Sequence, residues 1–306
     1  MKVLVTGVSG QLGRDVMSEL KNRKHLTIGT ARRMQEEPLD TFLKLELADK
    51  TAVKAAVTEL QPDAVIHCAA WTAVEAAENA GNRDAVYSAN VLATRYLAET
   101  CAEVGAKMLY ISTDYVFDGQ DTRPWKPDDK CFAPLNWYGK TKLLGEQAVA
   151  SAMDRFFIVR TAWVFGRNGK NFVKTMLNAG RTHDAVRVVS DQVGTPTYTR
   201  DLARLLVDMV ETDKYGWYHA TNSEEAPGEY ISWYDFTREI YRQAGLSTEV
   251  IPVTTAEYGL SKAVRPYNSR LDKSKLAEAC FAPLPSWKDA LHRYLMEIGE
   301  IQDGTN

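Results

Sequence analysis

The first thirteen residues, MKVLVTGVSGQLG, constrain the fold of this chain more than any other stretch. A short apolar run at 3–5 is followed by glycines at 7, 10 and 13, and apolar residues then recur at helical spacing from Leu12 to Leu20. Without a Cβ, a glycine lets backbone N–H groups approach a pyrophosphate, whose charge the first amides of the following helix then face. A flexible turn is the simpler interpretation of such glycines. The strand before them and the helix after them favour a dinucleotide-binding βαβ unit.

Composition and charge exclude several classes of protein. With 306 residues, the chain can form one large domain or two unequal ones. A formal net charge of −3 indicates no basic face for nucleic acid, and no run approaches the ~18 apolar residues of a membrane-spanning helix. The first predicted strand begins at residue 2, which leaves no room for a secretory leader, and four scattered cysteines fit a reducing compartment. We therefore expect a cytoplasmic protein.

Segments typical of strands and of helices alternate about six times, which predicts an α/β fold with one doubly wound, Rossmann-like parallel sheet. Strands are expected at 25–30, 42–47, 64–70, 107–113 and 156–166, and one long helix at about 84–104. We expect residues 1–166, rejoined by about 193–222, to form a dinucleotide-binding domain. Residues 167–306 are expected to form mainly a smaller C-terminal substrate-binding domain.

The residues that follow the second predicted strand indicate which dinucleotide is bound. An Asp or Glu there would accept hydrogen bonds from the ribose of NAD, but the chain has Arg32 and Arg33. Two guanidinium groups suit a 2′-phosphate, so NADPH is favoured, and NADH stays open because Glu36 or Glu37 can also reach a ribose. The predicted cofactor contacts are Gly7, Ser9, Gly10, Gln11, Leu12, Gly13, Arg32, Arg33, Glu46, Leu47, Ala69, Ala70, Trp71, Tyr138, Lys142 and Thr161.

Tyr138 and Lys142 are four residues apart at the start of a predicted helix, and therefore share one face. A neighbouring ammonium lowers the pKa of a phenol and makes it a usable proton donor or acceptor. This pair alone is a weak signal, because such spacing occurs by chance on many helices. Thr113, at the carboxyl end of a strand 25 residues earlier, strengthens it. His67, in the apolar run before Ala69, is expected to be a packed core residue.

These motifs, together with HCAAWTAV at 67–74, STDYVFDG at 112–119, RTAWVFG at 160–166 and RPYNS at 265–269, resemble the extended short-chain dehydrogenase/reductase family. Within that family the chain is similar to the dTDP-4-dehydrorhamnose reductases over nearly its whole length. The resemblance implies NADPH-dependent reduction of the 4-keto group of dTDP-4-dehydro-L-rhamnose to dTDP-L-rhamnose, for polysaccharide biosynthesis.

The resemblance also implies roles for individual residues. Tyr138 would protonate the developing alkoxide, Lys142 would tune that tyrosine and hold the nicotinamide ribose, and Thr113 would donate to the carbonyl oxygen. Asp114 would orient the sugar hydroxyls, and Arg265 has the forked cation that a diphosphate calls for, although a surface salt bridge is the alternative. The implied substrate contacts are Thr72, Val74, Asp114, Trp163, Asn171, Gln192, Gly194 and Arg265.

Other functions of the same fold stay open at this point. Sugar-nucleotide epimerases and dehydratases share the Tyr-Lys pair, but a dehydratase needs an acidic residue where this chain has Tyr115. A non-catalytic relative, such as the regulatory subunit of methionine adenosyltransferase, keeps the fold to bind a partner enzyme. Some family members bind a divalent metal at a dimer interface. Asp15 matches one such position and the others have no match, so no metal is predicted, and the chain is expected to be a monomer or a homodimer.

Overall fold

The computed structural model describes residues 1–32 and 41–302. Its strands, in chain order, are β1 (Lys2–Thr6), β2 (Leu26–Ala31), β3 (Phe42–Lys44), β4 (Ala64–His67), β5 (Lys107–Thr113), β6 (Phe156–Thr161), β7 (Val164–Phe165), β8 (Ala185–Val189), β9 (Val193–Gly194), β10 (Thr197–Tyr198), β11 (Gly216–His219), β12 (Ile231–Ser232), β13 (Glu249–Val253) and β14 (Asn268–Ser269).

The helices cover both faces of the main sheet and build the C-terminal region. In chain order they are α1 (Gln11–Asn22), α2 (Lys50–Leu60), α3 (Val74–Ala77), α4 (Arg83–Tyr87), α5 (Ala93–Val104), α6 (Trp137–Ala152), α7 (Phe172–Thr182), α8 (Thr199–Val210), α9 (Trp233–Ala244), α10 (Thr255–Tyr258), α11 (Ser274–Glu278) and α12 (Trp287–Glu297). Within residues 1–32 and 41–302, every helix is too short or too polar to span a bilayer.

Seven of these strands form one parallel sheet, in the order β11-β6-β5-β4-β1-β2-β3. The chain runs outward from β1 to β3 and then crosses back to β4, so the direction of winding reverses between β1 and β4. Ligands of such sheets bind outside the carboxyl ends of the strands at that reversal. The predicted doubly wound, Rossmann-like sheet is confirmed.

Alternation along β1 explains why both faces of the sheet are covered. Val3 and Val5 point into a core that includes Leu206 of α8, whereas Leu4 points into a second core with Val57 of α2. Such strands, buried on both faces, are the near-continuous apolar runs that the sequence displays. A third core, around Phe236, lies in the C-terminal region. The small sheets there are β10-β7, β12-β9-β14 and β13-β8.

Several predicted bounds were wrong. β3 ends at Lys44 and β4 at His67, because the residues that follow turn away from the sheet to form its ligand-binding edge. The helix expected at about 84–104 contains a π-helical turn, Ser88–Leu92, between α4 and α5. The strand expected at 156–166 divides into β6 and β7, since Trp163 adopts a φ of 53° that no extended strand allows. The expected return to the main sheet is confirmed for β11, which pairs with β6.

Candidate active site

The glycine turn between β1 and α1 is shaped for close contact. Gly7 has a φ of 71°, and a Cβ on it would lie 2.6 Å from the backbone nitrogen of Ala69. A Cβ on Gly13 would lie 2.4 Å from the carbonyl oxygen of Gly7. Gly10 is the N-cap of the twelve-residue α1 and has no side chain with which to cap it. The backbone amides of this turn therefore fit the pyrophosphate of a dinucleotide.

The loop after β4 is held beside this turn by Thr6. The Thr6 hydroxyl lies 2.7 Å from Nδ1 of His67 and accepts a hydrogen bond from the backbone N–H of Ala69 at 3.2 Å. His67 also lies 3.1 Å from the hydroxyl of Thr94, and burial, helped by the charge of Lys142, lowers its pKa to about 3. His67 is thus a neutral core residue, as expected. Ala69 and Ala70 follow it, half-buried, at the edge where a cofactor would lie.

The residues predicted to contact the adenosine half of the cofactor lie at the carboxyl ends of β2 and β3. Arg32 directly follows β2 and is exposed, whereas Arg33 lies outside the described residues. Glu46 is exposed and accepts a hydrogen bond from the backbone N–H of Ala48 at 3.2 Å, and Leu47 packs half-buried against the core. The position of Arg32 suits a 2′-phosphate, because its guanidinium is available at the rim.

Thr113 and Tyr138 meet at the carboxyl edge of the sheet. Thr113 ends β5, and Tyr138 lies in the first turn of α6, whose N-cap Asn136 accepts a hydrogen bond from the N–H of Gly139 at 2.8 Å. A Cβ on Gly139 would lie 2.3 Å from the carbonyl oxygen of Tyr115, so this glycine lets α6 approach β5 closely. The hydroxyl of Thr113 lies close enough to the Tyr138 phenol to act on its pKa, which it lowers. The structure therefore brings these two predicted residues together.

Lys142 lies one turn beyond Tyr138 but does not act on the phenol as expected. Its Nζ donates to the carbonyl oxygen of Ile111 at 2.6 Å and lies 4.0 Å from the centre of the Tyr110 ring. Burial lowers the pKa of Lys142 to about 7, although the carboxylate of Glu146 opposes this. Burial also raises the pKa of Tyr138, and the neighbouring hydroxyl of Thr113 only partly offsets it. The prediction of a lowered phenol pKa was wrong, because the ammonium is directed at β5.

Asn90 is a site residue that the sequence-based prediction missed. It is buried in the π-helical turn and accepts a hydrogen bond from the backbone N–H of Trp71 at 2.7 Å. Its Nδ2 donates to the carbonyl oxygen of Trp71 at 3.2 Å and to the hydroxyl of Thr141 on α6 at 3.0 Å. One amide thus ties the loop after β4 to the helix that carries Tyr138. A lone Asn within an otherwise helical, apolar pattern was the available signal.

Asp114 is buried beside Thr113, with 2% of its surface exposed. Its Oδ1 accepts a hydrogen bond from the Thr113 hydroxyl at 2.9 Å, and its Oδ2 accepts one from the hydroxyl of Ser269 at 2.5 Å. Burial raises the pKa of Asp114 to about 6, although these hydrogen bonds lower it. The C-terminal strand β14 is thereby linked to Thr113 through Asp114. Ser269 was quoted in a motif but not among the predicted site residues.

The predicted substrate contacts of the loop after β4 and of the small sheets surround this edge. Thr72 is exposed, and Val74 begins α3, half-buried. Trp163 stacks on Trp233 with ring centres 3.7 Å apart, and a Cβ on Gly194 would lie 3.3 Å from the Trp163 indole. The aromatic pair and the bare backbone of β9 provide a flat wall that suits a sugar or a base.

Four further predicted residues are engaged with protein partners. The Thr161 hydroxyl donates to Thr197 at 3.1 Å, Nε2 of Gln192 donates to Thr255 at 3.0 Å, and the indole N–H of Trp71 donates to the carbonyl oxygen of Ala73 at 3.1 Å. Gln11 accepts a hydrogen bond from Asn171 at 3.1 Å. Each of these four side chains lies near the edge of the sheet, but its hydrogen bonds to other protein groups fix its orientation.

Asn171, predicted as a substrate contact or as a residue that forms loop hydrogen bonds, has protein partners for its whole amide group. Its Oδ1 caps α7 by accepting from the N–H of Lys174 at 3.0 Å. Its Nδ2 has protein acceptors at Gln11, at the carbonyl oxygen of Gly166 and at the hydroxyl of Tyr294, all within 3.1 Å. An amide with two N–H protons has none left for a ligand in that environment. The residue is a structural N-cap.

Arg265 forms the salt bridge that was its alternative interpretation. Its Nη2 donates to Glu75 at 2.8 Å, and its guanidinium lies near the phenol of Tyr115. Burial acts to raise the pKa of Glu75, but hydrogen bonds from Ser261, Arg265 and two backbone amides outweigh it and lower the pKa to about 2. Since a guanidinium has five N–H donors, Arg265 keeps donors for a diphosphate while paired with Glu75.

Asp15, the residue considered for a metal, lies near both an acidic and two basic side chains. Burial raises its pKa, and among the charges that act on it are Glu297, Arg200 and Arg167. Arg200 is also ion-paired with Glu297, at 3.3 Å. Across residues 1–32 and 41–302, the structure has no group of three His, Cys, Asp or Glu side chains placed to hold a metal.

Comparison with known proteins decides which family this geometry belongs to. The family model described as the RmlD substrate binding domain matches residues 1–299. The chain is 36% identical over 302 residues to the dTDP-4-dehydrorhamnose reductase of Aggregatibacter actinomycetemcomitans, covering 95% of this chain and 97% of that protein. The chain belongs to the dTDP-4-dehydrorhamnose reductase family. The family resemblance expected from the sequence motifs is thereby confirmed.

Two further comparisons extend this assignment. The spore coat polysaccharide biosynthesis protein SpsK of Bacillus subtilis (strain 168) is 38% identical over 302 residues, with 99% of each chain covered. The crystal structure of the dTDP-4-dehydrorhamnose reductase of Bacillus anthracis in complex with NADP superposes with a TM-score of 0.87 at 36% identity, covering 97% of this chain and 99% of that one. Family membership therefore extends over the whole Rossmann-like sheet and the C-terminal region.

Proposed function

We propose that the chain is an NADPH-dependent oxidoreductase that reduces the 4-keto group of dTDP-4-dehydro-L-rhamnose to give dTDP-L-rhamnose. The observation that carries this proposal is that the hydroxyl of Thr113 and the phenol of Tyr138 come together at the carboxyl edge of the sheet, the edge that also holds the glycine turn at Gly7. Full-length similarity to reductases of this name supports the substrate class, a nucleotide sugar. The Bacillus anthracis relative with bound NADP supports the cofactor.

The site residues divide the work of a ketone reduction. When bound, NADPH supplies the hydride that reduces the ketone carbon. Because burial raises the pKa of Tyr138, its phenol is protonated at neutral pH and is placed to give that proton to the ketone oxygen. Lys142, whose ammonium lies beside the end of β5, would hold the nicotinamide ribose. The amides at Gly7, Gly10 and Gly13 would hold the pyrophosphate, and Arg32 the 2′-phosphate.

The same geometry argues against a dehydratase. Elimination of water from the sugar needs an acid next to Asp114, and that place is taken by Tyr115. Burial raises the pKa of Tyr115 to about 12, although the nearby guanidinium of Arg265 acts to lower it. Its ring lies edge-on to Tyr138, with ring centres 5.6 Å apart. A phenol held in this way is no substitute for a carboxylic acid.

The remaining expectations complete the proposal. Residues 1–166, rejoined by about 193–222, would bind the dinucleotide, and residues 167–306 would mainly bind the sugar nucleotide; the pairing of β11 with β6 and the separate C-terminal core support this division. Free thiols at Cys68, Cys101, Cys131 and Cys280 support a cytoplasmic enzyme. We propose that it acts as a monomer or a homodimer, without nucleic acid or membrane as partner.

Substrate-dependent consumption of NADPH tests this function. With dTDP-4-dehydro-L-rhamnose, net oxidation of NADPH supports the reductase, isomerisation without net oxidation would indicate an epimerase, and no turnover would indicate a binding protein. Tyr138→Phe should lower kcat by about 10²–10⁴-fold, the contribution of a positioned proton donor. NADPH binding, followed by fluorescence, should stay nearly unchanged in this variant. Tyr96→Phe, on α5 beside Lys50, is the matched control, and equal turnover of both variants would reject the role of Tyr138.

A further inference from the structure

Asp114 is placed to orient the hydroxyl of Thr113 rather than the hydroxyls of a sugar. Both of its oxygens already accept hydrogen bonds, Oδ1 from Thr113 at 2.9 Å and Oδ2 from Ser269 at 2.5 Å. The Thr113 oxygen in turn accepts from the backbone N–H of Tyr115 at 3.3 Å, and the phenol of Tyr138 lies beside it. All three side chains that form the chain Ser269–Asp114–Thr113 are buried.

The direction of each hydrogen bond follows from the number of protons available. A threonine hydroxyl has a single proton, and Thr113 gives it to the carboxylate of Asp114. In that state the oxygen of Thr113 can only accept, so it offers nothing to the oxygen of a bound ketone. A neutral carboxylic acid reverses this order, because its own O–H then donates to Thr113 and leaves the threonine proton free.

We propose that Asp114 is a positioning residue that sets the direction of the Thr113 hydroxyl: the carboxylate holds the threonine proton away from the substrate, and the neutral acid releases it to the ketone oxygen. Ser269 takes part by holding the other oxygen of the same carboxyl group from β14. This proposal rests on the proposed ketone reduction and adds to it a proton-dependent second donor beside Tyr138.

The groups around Asp114 bring its pKa closer to neutral pH. Burial raises its pKa to about 6, while the hydrogen bonds from Ser269 and Thr113 lower it. The titratable groups that face it are the phenols of Tyr138 on α6 and of Tyr115, both of which feel its charge. Arg265, paired with Glu75, stands behind Tyr115. Below this pKa the acid is neutral and Thr113 donates; above it the donor is withdrawn.

The pH dependence of kcat/KM tests this assignment. In the parent enzyme, kcat/KM for the ketone should fall above a break near the pKa of about 6. The fall should end at a plateau roughly 100-fold lower, the size of losing one donor to a developing oxyanion. Asp114→Asn should abolish this break, because its amide can donate to Thr113 and accept from Ser269 at every pH. The test compares the shape of the pH profile of kcat/KM, so a weaker affinity of Asp114→Asn for the sugar does not obscure the result.

Ser269→Ala provides a second, independent variant. The substitution removes the Ser269 hydroxyl and with it a hydrogen bond that favours the carboxylate form of Asp114. The break in the pH profile of kcat/KM should therefore move to higher pH, although Asp114 itself is unchanged. Infrared difference spectra of the ligand-free protein, titrated from about pH 5 to about pH 8, should display the C=O band of a carboxylic acid that disappears across the same range. That band should be absent from Asp114→Asn and shifted to higher pH in Ser269→Ala.

The outcomes separate this proposal from the proposed function. Loss of ketone-dependent NADPH oxidation at every pH, in the parent and in all variants, would overturn the reductase itself. Oxidation with the same break in Asp114→Asn as in the parent would overturn the role of Asp114 alone. If Asp114→Asn does not fold, Ser269→Ala decides the matter. A break in kcat/KM and an infrared titration at the same pH as in the parent would then overturn the role of Asp114.

Discussion

Glu146→Gln tests the buried ion pair between Glu146 and Arg160, which packs beside the candidate site. Glu146 lies one turn beyond Lys142 on α6, and its two oxygens accept from Nε and Nη2 of Arg160 at 2.9 and 2.7 Å. Ser112, next to Thr113 on β5, donates to the same carboxylate at 2.5 Å. The two charged side chains are only 3% and 1% exposed. Glutamine keeps the shape and one acceptor, but it leaves the guanidinium without a counter-charge.

The expected cost follows from that uncompensated charge. Removing one partner of a buried pair lowers the free energy of unfolding by about 3–5 kcal/mol. We expect about 3 kcal/mol, the lower end of that range, because the guanidinium keeps the faces of Phe117 and Phe132, at 5.0 and 5.3 Å, and the carbonyl oxygen of Pro127 at 3.0 Å. Disruption of this pair is therefore costly, and the pair fixes α6 against β6, with Ser112 of β5 bonded to the same carboxylate.

Urea unfolding measures this difference through the midpoint and slope of the transition. The double variant Glu146→Met with Arg160→Met should unfold close to the parent, since an apolar pair of similar volume replaces both charges. Glu99→Gln, which breaks the exposed pair with Lys50 at 2.9 Å, is the surface control and should leave the midpoint nearly unchanged. A Glu146→Gln midpoint equal to that of Glu99→Gln would refute the argument.

Two further predictions concern the cofactor. Arg32→Ala should weaken NADPH by about 10–100-fold and NADH far less, because a hydrogen bond to a charged group is worth about 1.5–3 kcal/mol; titrations with both cofactors measure this, and an equal loss for both would contradict the 2′-phosphate assignment. Gly13→Ala should abolish tight cofactor binding, since its Cβ would lie 2.4 Å from the carbonyl oxygen of Gly7. Gly81→Ala, where a Cβ meets nothing within 4 Å, is the control, and cofactor binding by Gly13→Ala at the level of this control would show that the turn tolerates a side chain.

Local patterns were sufficient to predict much of this protein. The glycines at 7, 10 and 13 and the apolar runs of β1, β4 and β5 specify a parallel sheet, because a strand buried on both faces has to be apolar throughout. The spacing of Tyr138 and Lys142 gives one helical face, and the motifs quoted at 67–74, 112–119 and 265–269 indicate the family. These features depend on neighbours close in the chain, so they can be read without coordinates.

Side-chain partners distant in the chain could not be predicted in that way. Lys142 lies at the expected spacing from Tyr138, yet its ammonium bonds to Ile111. Burial then raises the pKa of the phenol, where spacing alone predicts a lowered one. The family resemblance implied Asn171 as a substrate contact, and the structure places its amide as the N-cap of α7. A hydrogen-bonding group has few protons and lone pairs, and which acceptor receives them depends on packing that spacing does not encode.

The sequence by itself therefore determined the sheet, the family and the reaction class, because each follows from local periodicity or from contiguous motifs. Only the tertiary structure decided which groups of the site are hydrogen-bonded to one another. It brings Ser269 to Asp114 across 155 positions of chain and places Asn90 between Trp71 and Thr141. The physical reason is that hydrogen bonds and pKa shifts depend on distances of a few ångströms and on exclusion of water, and both arise only when remote segments pack together.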